Sequence, residues 1–260
     1  MVQFRTSDSN RGVNTEAEIE VSWYRVAARY LLYFISLVGF WSGALVCNLL
    51  ALCFLPWHGE ASVRSAARIW LHRLLVFARR SMGTIHAIRF DLKGTEILSE
   101  LRSTVVVANH QSLLDAVYLL SLVPDALCIF KKSIQRNIAL GPMAWLCGFI
   151  ANDAGPDLVR EAVAALSEGC NVIVFPEGTR SQGRLNPFKS GFALIACRAR
   201  CPIQTVHLST DPALLPKGAS LMDLPHRQPL VCIHPGRRFS PTPGLRTTDL
   251  VREVEAYFQD

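Results

Sequence analysis

Short apolar runs alternate with amphipathic stretches along most of this chain. The short runs predict strands, and the longer stretches have the spacing of helices. The predicted strands lie near residues 86–93, 104–108, 126–131, 171–175, 203–208 and 229–234, and the predicted helices near 113–122, 157–168, 188–200 and 248–258. Alternating strands and helices are typical of a largely parallel central sheet flanked by helices. The pattern therefore predicts one α/β domain over residues 85–260.

A long apolar run precedes this domain. Residues 30–59 contain no Asp, Glu, Lys or Arg, and a helix of that length exceeds the ~30 Å hydrocarbon core of a bilayer at ~1.5 Å per residue. We interpret residues 1–29 as a polar segment and residues 30–84 as a membrane-anchoring helical element. A helical hairpin buried in a soluble core is the alternative. A cleaved signal peptide is not favoured, because the run starts late and is too long.

Residues 61–82 show a helical pattern of their own. Arg64, Arg68 and His72 share one stripe of this helix. The apolar residues fall largely elsewhere and are Ile69, Leu71, Leu74, Leu75 and Phe77. Such a helix could lie on a membrane, or pack on the domain with its basic face in water. More arginines follow the apolar run than precede it, which predicts that the α/β domain lies on the cytoplasmic face, of the inner membrane if the chain is bacterial.

The bulk charge is consistent with several partners. The net charge is +6 and the pI is about 9.0, which suits an anionic membrane surface or an acidic carrier protein, although nucleic-acid-binding proteins have the same sign. The eight cysteines lie mostly in apolar runs without a Cys-x-x-Cys pair, which indicates buried thiols in a reducing compartment. No Walker A, Gly-x-Gly-x-x-Gly or His-Glu-x-x-His motif supports a nucleotide or zinc site.

A polar loop follows the predicted strand at 104–108. It reads Asn-His-Gln-Ser-Leu-Leu-Asp and separates His110 from Asp115 by five positions. Imidazole titrates near neutral pH, and a carboxylate that accepts its second ring N–H stabilises the imidazolium. Because residues five apart do not share a helix face, contact needs a turn, for which Ser112 is a candidate N-cap. The pair is a candidate general base, and a buried structural histidine is the alternative.

A second polar segment follows the predicted strand at 171–175. It reads Phe-Pro-Glu-Gly-Thr-Arg-Ser, in which Gly178 permits a tight turn and Arg180 offers a planar fork for phosphate or carboxylate. Ligands of open α/β sheets bind beyond the carboxyl ends of strands, so both segments are expected to face one cleft. An ordinary surface turn is the alternative.

Together and in this order, the two segments resemble the glycerolipid acyltransferases, the family that includes lysophosphatidic acid acyltransferase. The resemblance covers roughly residues 85–210. It implies that His110 and Asp115 form the catalytic His-x4-Asp motif. It further implies acceptor-binding residues and contacts to the acyl donor or to phosphate. The implied acceptor-binding residues are Glu177, Gly178, Thr179 and Arg180, and the implied donor or phosphate contacts are Lys131, Lys132 and Lys189, the last within Phe188-Lys189-Ser190-Gly191.

One segment departs from the family pattern. The family supplies an arginine to the acceptor phosphate between the two motifs, and the matching stretch here is Cys-Gly-Phe-Ile-Ala-Asn-Asp at 147–153. Asn152 or Asp153 therefore stands where the family has its cation. An aspartate there repels a phosphate dianion, but can pair with an amine or leave room for a neutral head group.

The resemblance implies a membrane-associated O-acyltransferase of lipid biosynthesis. The donor would be acyl-CoA or acyl carrier protein, and the acceptor the hydroxyl of 1-acylglycerol-3-phosphate or a related lyso-lipid in the membrane. It implies no bound cofactor, metal or nucleic acid. Three alternatives remain: an acyltransferase for a non-phosphate or amine-bearing lyso-lipid, a thioesterase-like hydrolase that uses water, and a non-catalytic lipid-binding membrane protein.

Overall fold

Seven strands form one mixed sheet in the residues that this computed structural model describes, which are 14–135, 137, 140–181, 184–216, 218, 223, 227–242 and 244–259. They are β1 (Arg89–Asp91), β2 (Val105–Ala108), β3 (Ala126–Phe130), β4 (Ile150–Ala151), β5 (Asn171–Val174), β6 (Ile203–Asp211) and β7 (Leu230–Phe239). Their order is β1-β7-β6-β2-β5-β3-β4. Pairing is parallel from β6 to β4 and between β1 and β7, and antiparallel between β6 and β7. The predicted α/β class with a largely parallel sheet is confirmed.

Helices cover both faces of this sheet. They are α1 (Asn14–Phe54), α2 (Ala61–Thr84), α3 (Glu96–Ser99), α4 (Asp115–Leu120), α5 (Lys132–Gln135), α6 (Gly141–Leu146), α7 (Pro156–Ser167), α8 (Gly191–Ala199) and α9 (Thr247–Gln259). The four predicted helices correspond to α4, α7, α8 and α9. Helix α8 begins at Gly191 rather than near 188, because Lys189 donates its backbone N–H to Pro176 O at 2.9 Å and belongs to the preceding loop. Strand β4 was not predicted, since two residues show no periodicity.

Strand alternation divides the core into two halves. Along β2, Val106 and Ala108 pack beneath α2 and α4, and we call this side of the sheet the α2 face. Val105 and Val107 point the other way and pack beneath α7, α8 and α9, on what we call the α8 face. Successive side chains of a strand point to opposite sides, so position along β2 and β5 decides which face each following loop residue approaches.

Helix α2 packs against the domain with its basic stripe. Arg68 is buried and donates to the Asp125 carboxylate and to Cys147 O, and His72 Nδ1 lies 2.8 Å from Leu120 O. Arg64 forms an ion pair with Glu168 at 3.4 Å. The helix packs on the domain, as one of the two interpretations has it, but the solvated basic face of that interpretation is wrong. The helical period shows that α2 has two unlike faces, but not which of them meets the domain.

The outward side of α2 carries large apolar side chains beside the exposed Arg73 and Arg80, and much of α1 is apolar. Ile69, Trp70 and Phe77 are exposed, with Phe77 at 70 %. The segment Tyr30–Trp57, which runs from α1 through the 3₁₀ turn Leu55–Trp57, is long and apolar enough to cross a bilayer, and 17 % of its most apolar window is buried in the protein. The predicted boundary between residues 29 and 30 lies inside this single helix, and residues 1–13 lie outside the described part of the chain.

Candidate active site

The two polar loops meet at the carboxyl edge of the sheet. Strands β2 and β5 are parallel neighbours, so the loops that follow them start side by side. The Ser181 backbone N–H and hydroxyl both donate to His110 O, at 2.7 and 2.9 Å. The structure therefore brings the two segments together, as the sequence predicts.

His110 and Asp115 form a hydrogen-bonded pair. His110 Nδ1 lies 3.0 Å from Asp115 Oδ2, and the same oxygen accepts the backbone N–H groups of Gln111 and Ser112 at 2.7 Å each. Asp115 is 1 % exposed and opens α4. Because the carboxylate accepts hydrogen bonds, Nδ1 donates and Nε2 is left with its lone pair. This arrangement suits a general base at Nε2.

The His110 ring is held on one side and open on another. It stacks on the Phe175 ring, with centroids 4.3 Å apart and planes 28° apart. The side chain remains 20 % exposed. Phe175 packs against the core of the α2 face, so the histidine stands on the side of the sheet where α1 and α2 lie. Nothing in the sequence distinguishes Phe175 as a site residue, since an aromatic ring at a strand end is equally typical of a core.

The Ser112 hydroxyl is buried and forms hydrogen bonds that stabilise the loop. It donates to Leu214 O at 2.6 Å and accepts the Leu114 N–H at 3.2 Å, and the residue is 1 % exposed. The N-cap of α4 is Leu114, so the interpretation of Ser112 as the cap was wrong. A hydroxyl that is buried and bonded in this way is unavailable as a nucleophile.

Three buried thiols are also unavailable as nucleophiles. Burial raises the pKa of Cys128, Cys147 and Cys170 to about 12 each. A thiol with such a pKa is protonated at neutral pH, and only the thiolate attacks an acyl group. Among the described residues, no group of three or more His, Cys, Asp or Glu side chains has an arrangement that could hold a metal ion.

Glu177 lies between the two loops rather than in the cleft. Its Oε1 accepts the His110 backbone N–H at 2.8 Å, and its Oε2 accepts the backbone N–H and the side-chain amide of Asn186 at 2.8 and 3.0 Å. The residue is 3 % exposed. Both carboxylate oxygens are thus occupied within the protein. Asn186 has no signal in the sequence, because its partner is recognised only once the chain has folded.

The turn after Glu177 brings a cation close to the loop. Gly178 has φ +69°, and a Cβ at this position would lie 2.7 Å from Lys189 Nζ. The positive φ favours glycine there, whereas the flexible end of the lysine could move away from a Cβ. Arg180 Nη1 donates to Leu215 O and Pro216 O at 3.0 and 3.1 Å, and Thr179 is half-buried in the same turn. The ammonium group of Lys189 therefore lies beside the turn of the second polar segment.

The remaining predicted cations lie further along the same edge. Lys131 and Lys132 follow β3, and Lys132 Nζ is 3.3 Å from Asp153 Oδ2, which follows β4. Both members of this pair are about half exposed. With strands ~4.8 Å apart, the end of β3 is roughly 10 Å from the end of β2. Asp153 thus meets a lysine at the site where the sequence departs from the family pattern.

Comparison with known proteins agrees with this geometry. Residues 89–209 match the family model named Acyltransferase. The chain is 32 % identical to mouse 1-acyl-sn-glycerol-3-phosphate acyltransferase alpha over 48 % of this chain and 47 % of the relative, and 32 % identical to the human beta form over 50 % of each. It thus spans about half the length of the curated relatives it matches.

A solved structure covers more of the chain. The crystal structure of the 1-acyl-sn-glycerophosphate acyltransferase PlsC from Thermotoga maritima superposes with a TM-score of 0.64, at 25 % identity, over 90 % of this chain and 93 % of that one. The family resemblance and the fold expected from the two motifs are therefore confirmed. The roles of individual site residues stay predictions.

Proposed function

Residues 89–209 of this chain match the family model named Acyltransferase, and from this premise we propose that the protein is a membrane-associated O-acyltransferase for lysophospholipid-type acceptors. It moves a fatty acyl chain from acyl-CoA or acyl carrier protein to the acceptor hydroxyl. The observation that carries the proposal is the 3.0 Å contact between His110 Nδ1 and Asp115 Oδ2 at the edge of the sheet. The names of the relatives make 1-acylglycerol-3-phosphate the first acceptor to test.

The proposed chemistry needs one proton carrier. His110 Nε2 takes the proton of the acceptor hydroxyl while the oxygen attacks the thioester carbon. The C–S bond then breaks, and the departing sulfur receives the proton from the imidazolium. Asp115 stabilises the imidazolium through Nδ1–H. General-base help of this kind contributes about 10²–10⁴-fold to the rate.

Glu177 takes a positioning role in this proposal. Its carboxylate holds the His110 backbone and the Asn186 loop together, so it sets where the imidazole stands. The sequence-based expectation was direct contact with the acceptor. Two fully occupied oxygens at 3 % exposure support the positioning role instead.

Lys189 is the cation best placed for an acceptor phosphate. Its ammonium lies against the Gly178 turn beside the catalytic loop, and among the described residues it has no carboxylate partner. Arg180 already donates to Leu215 O and Pro216 O, which leaves its remaining N–H groups for a ligand. These contacts favour a phosphate-bearing lyso-lipid.

A second acceptor class rests on one ion pair. Asp153 offsets the charge of Lys132 and adds an acidic group to an edge where a phosphate would need cations. An amine-bearing or neutral lyso-lipid would tolerate that group better than a phosphate dianion. Removal of Asp153 should therefore affect the rates with phosphate-bearing and with amine-bearing acceptors differently.

The function is tested with purified full-length protein in detergent. Labelled acyl-CoA and acyl carrier protein are offered with lysophosphatidic acid, other lysophospholipids and amine-bearing lyso-lipids. We expect acyl transfer to at least one lyso-lipid. Release of free fatty acid that does not depend on an alcohol would identify a thioesterase, and lipid binding without turnover of either donor would identify a non-catalytic lipid-binding protein.

Asp153→Ala is expected to shift the preference toward phosphate acceptors. Removing a half-exposed charge changes the interaction by at most ~1 kcal/mol, so the ratio of kcat/KM for lysophosphatidic acid to that for an amine-bearing lyso-lipid should rise about two- to fivefold. Asp157→Ala, which removes an exposed carboxylate of α7 paired with Arg160, should leave the ratio unchanged. An unchanged ratio in Asp153→Ala would show that Asp153 does not influence which acceptor is used.

The membrane contact is formed by α1 and the outer side of α2. The exposed side chains Ile69, Trp70 and Phe77 continue the apolar surface of α1, and amphipathic helices place such faces in the bilayer interface. His110 stands on the same face of the sheet. The lipid acceptor therefore reaches the base from the membrane side, with the domain proposed to lie on the cytoplasmic face, where thioester donors are found.

Phe77→Glu should impair transfer in vesicles more than transfer to a soluble acceptor. Withdrawing a phenylalanine from an apolar phase costs about 1.5–3 kcal/mol, which predicts a fall of roughly 10- to 100-fold in kcat/KM with lyso-lipid in vesicles. Activity on a short-chain, monomeric lyso-lipid should change little. Ile97→Glu alters an exposed apolar residue of α3 and serves as the matched control. Equal losses on both acceptors would show that Phe77 acts through folding rather than the membrane.

A further inference from the structure

A polar cavity lies beside the catalytic loop and takes no part in the mechanism above. Its volume is about 200 Å³. The residues that line it are Asn109, Gln111, Ser181, Arg184, Leu185, His207 and Phe258. Asn109 and Gln111 flank His110 in the chain, so the cavity reaches the loop that holds the base.

The cavity opens on the opposite side of the sheet from the base. Asn109 follows Val105 and Val107 in the strand alternation and so belongs to the α8 face, whereas His110 follows Val106 and Ala108. Leu185 and Phe258 pack against the core of the α8 face. The membrane helices α1 and α2 lie on the other face. A ligand in this cavity therefore comes from the aqueous side.

The lining favours an anion attached to a polar chain. Arg184 is exposed and makes no ion pair with any carboxylate that the structure describes. No acidic residue is among the described lining residues, and Gln111 and Ser181 add an amide and a hydroxyl. Burial and the nearby His234 lower the pKa of His207, so its imidazole is neutral at pH 7. A guanidinium without a partner, beside neutral polar groups, suits a phosphate.

We propose that this cavity binds the phosphate of the 4′-phosphopantetheine arm of the acyl donor, the chemical group that acyl-CoA and acyl carrier protein share. The inference rests on the proposed acyltransferase function, and it adds the path by which the acyl donor reaches His110. The cavity is smaller than the ~300–1,000 Å³ usual for whole ligands, so it holds the phosphate and the start of the arm rather than a nucleotide. The arm crosses the 109–111 loop and presents its thioester to His110, while the acceptor arrives from the membrane side.

Binding without turnover tests this inference. Calorimetric titration of the full-length protein in detergent compares 4′-phosphopantetheine with pantetheine, which lacks the phosphate. We expect the phosphate to strengthen binding about tenfold in the native protein, as a hydrogen-bonded charge pair does, and Arg184→Gln to abolish the difference. Arg198→Gln, which removes an exposed arginine of α8, should preserve it. Equal binding of both probes to the native protein, or an unchanged difference in Arg184→Gln, would overturn the assignment.

The two possible donors are then separated with CoA and the phosphopantetheinylated carrier protein. Arg184→Gln should weaken both about equally, because both have the same phosphate. A loss confined to CoA would overturn the assignment, since it would point to the other phosphates of CoA. These measurements need no acyl transfer and can be repeated in His110→Ala, so the failure of the proposed function would show in transfer while the cavity would be judged by binding alone.

Discussion

His110→Ala should lower kcat for acyl transfer by at least about 10²–10⁴-fold, the share that a positioned general base contributes. Nε2 is the ring atom left free by the Nδ1 contact to Asp115 at 3.0 Å, and no other described imidazole lies in the two loops. The backbone N–H of residue 110 still reaches Glu177 in the variant, so folding should be retained. The measurement is initial-rate transfer with the best donor and acceptor pair, alongside thermal unfolding and vesicle binding.

Two further variants make this result specific. Asp115→Asn keeps the size of the side chain but turns one acceptor into a donor facing the N–H groups of Gln111 and Ser112. We expect an intermediate loss of kcat, because the imidazole loses its fixed tautomer but not its position. His58→Ala removes an exposed histidine far along the chain and should leave kcat unchanged. Undiminished transfer in His110→Ala would refute the proposed mechanism.

The contact between His110 and Asp115 was predictable because both residues lie in one loop. Five positions separate His110 from Asp115, and a strand end followed by a short helix leaves few ways to arrange them. The role of Glu177 was not predictable in the same way. Its partners are 67 residues earlier and 9 residues later in the chain, and only the parallel pairing of β2 with β5 brings them together. The motif indicated the residue, and only the fold shows which groups it contacts.

The prediction that the basic stripe of α2 faces water is wrong for a different reason. A stripe of Arg64, Arg68 and His72 is ordinarily the solvated side of a helix. Here Asp125 offers a carboxylate to Arg68 from the domain, and apolar side chains can face outward when the surroundings are lipid. The periodicity of the sequence shows that the helix has a basic side and an apolar side, but not what surrounds each of them. The sheet behaves similarly, since alternation in β2 predicts two faces, and only the packing of α1 and α2 shows which face these helices cover.

Glu177→Ala should destabilise the domain and abolish most activity. The substitution leaves three part-buried N–H donors without these partners: the backbone groups of His110 and Asn186 and the Asn186 amide. Each unsatisfied buried group costs about 1–3 kcal/mol, and partial exposure keeps each cost in the lower half of that range, so the free energy of unfolding should fall by about 3–5 kcal/mol. That is a large share of the ~5–15 kcal/mol typical of a domain. Denaturant unfolding measures this loss, and Glu168→Ala, which removes a surface carboxylate, should cost less than about 1 kcal/mol.

The variant Glu177→Gln tests whether Glu177 positions His110 or binds the acceptor, and it keeps a side chain of the same size in place. A glutamine keeps the shape but presents an NH₂ group to one of the two clusters of N–H donors, which should displace the His110 loop. We expect kcat to fall about 10–100-fold with little change in the acceptor KM, because the misplaced imidazole affects the chemical step. If instead the acceptor KM rises while kcat and stability stay as in the native protein, Glu177 contacts the head group directly, as the family resemblance implies. The split between kcat and KM therefore decides between the two roles.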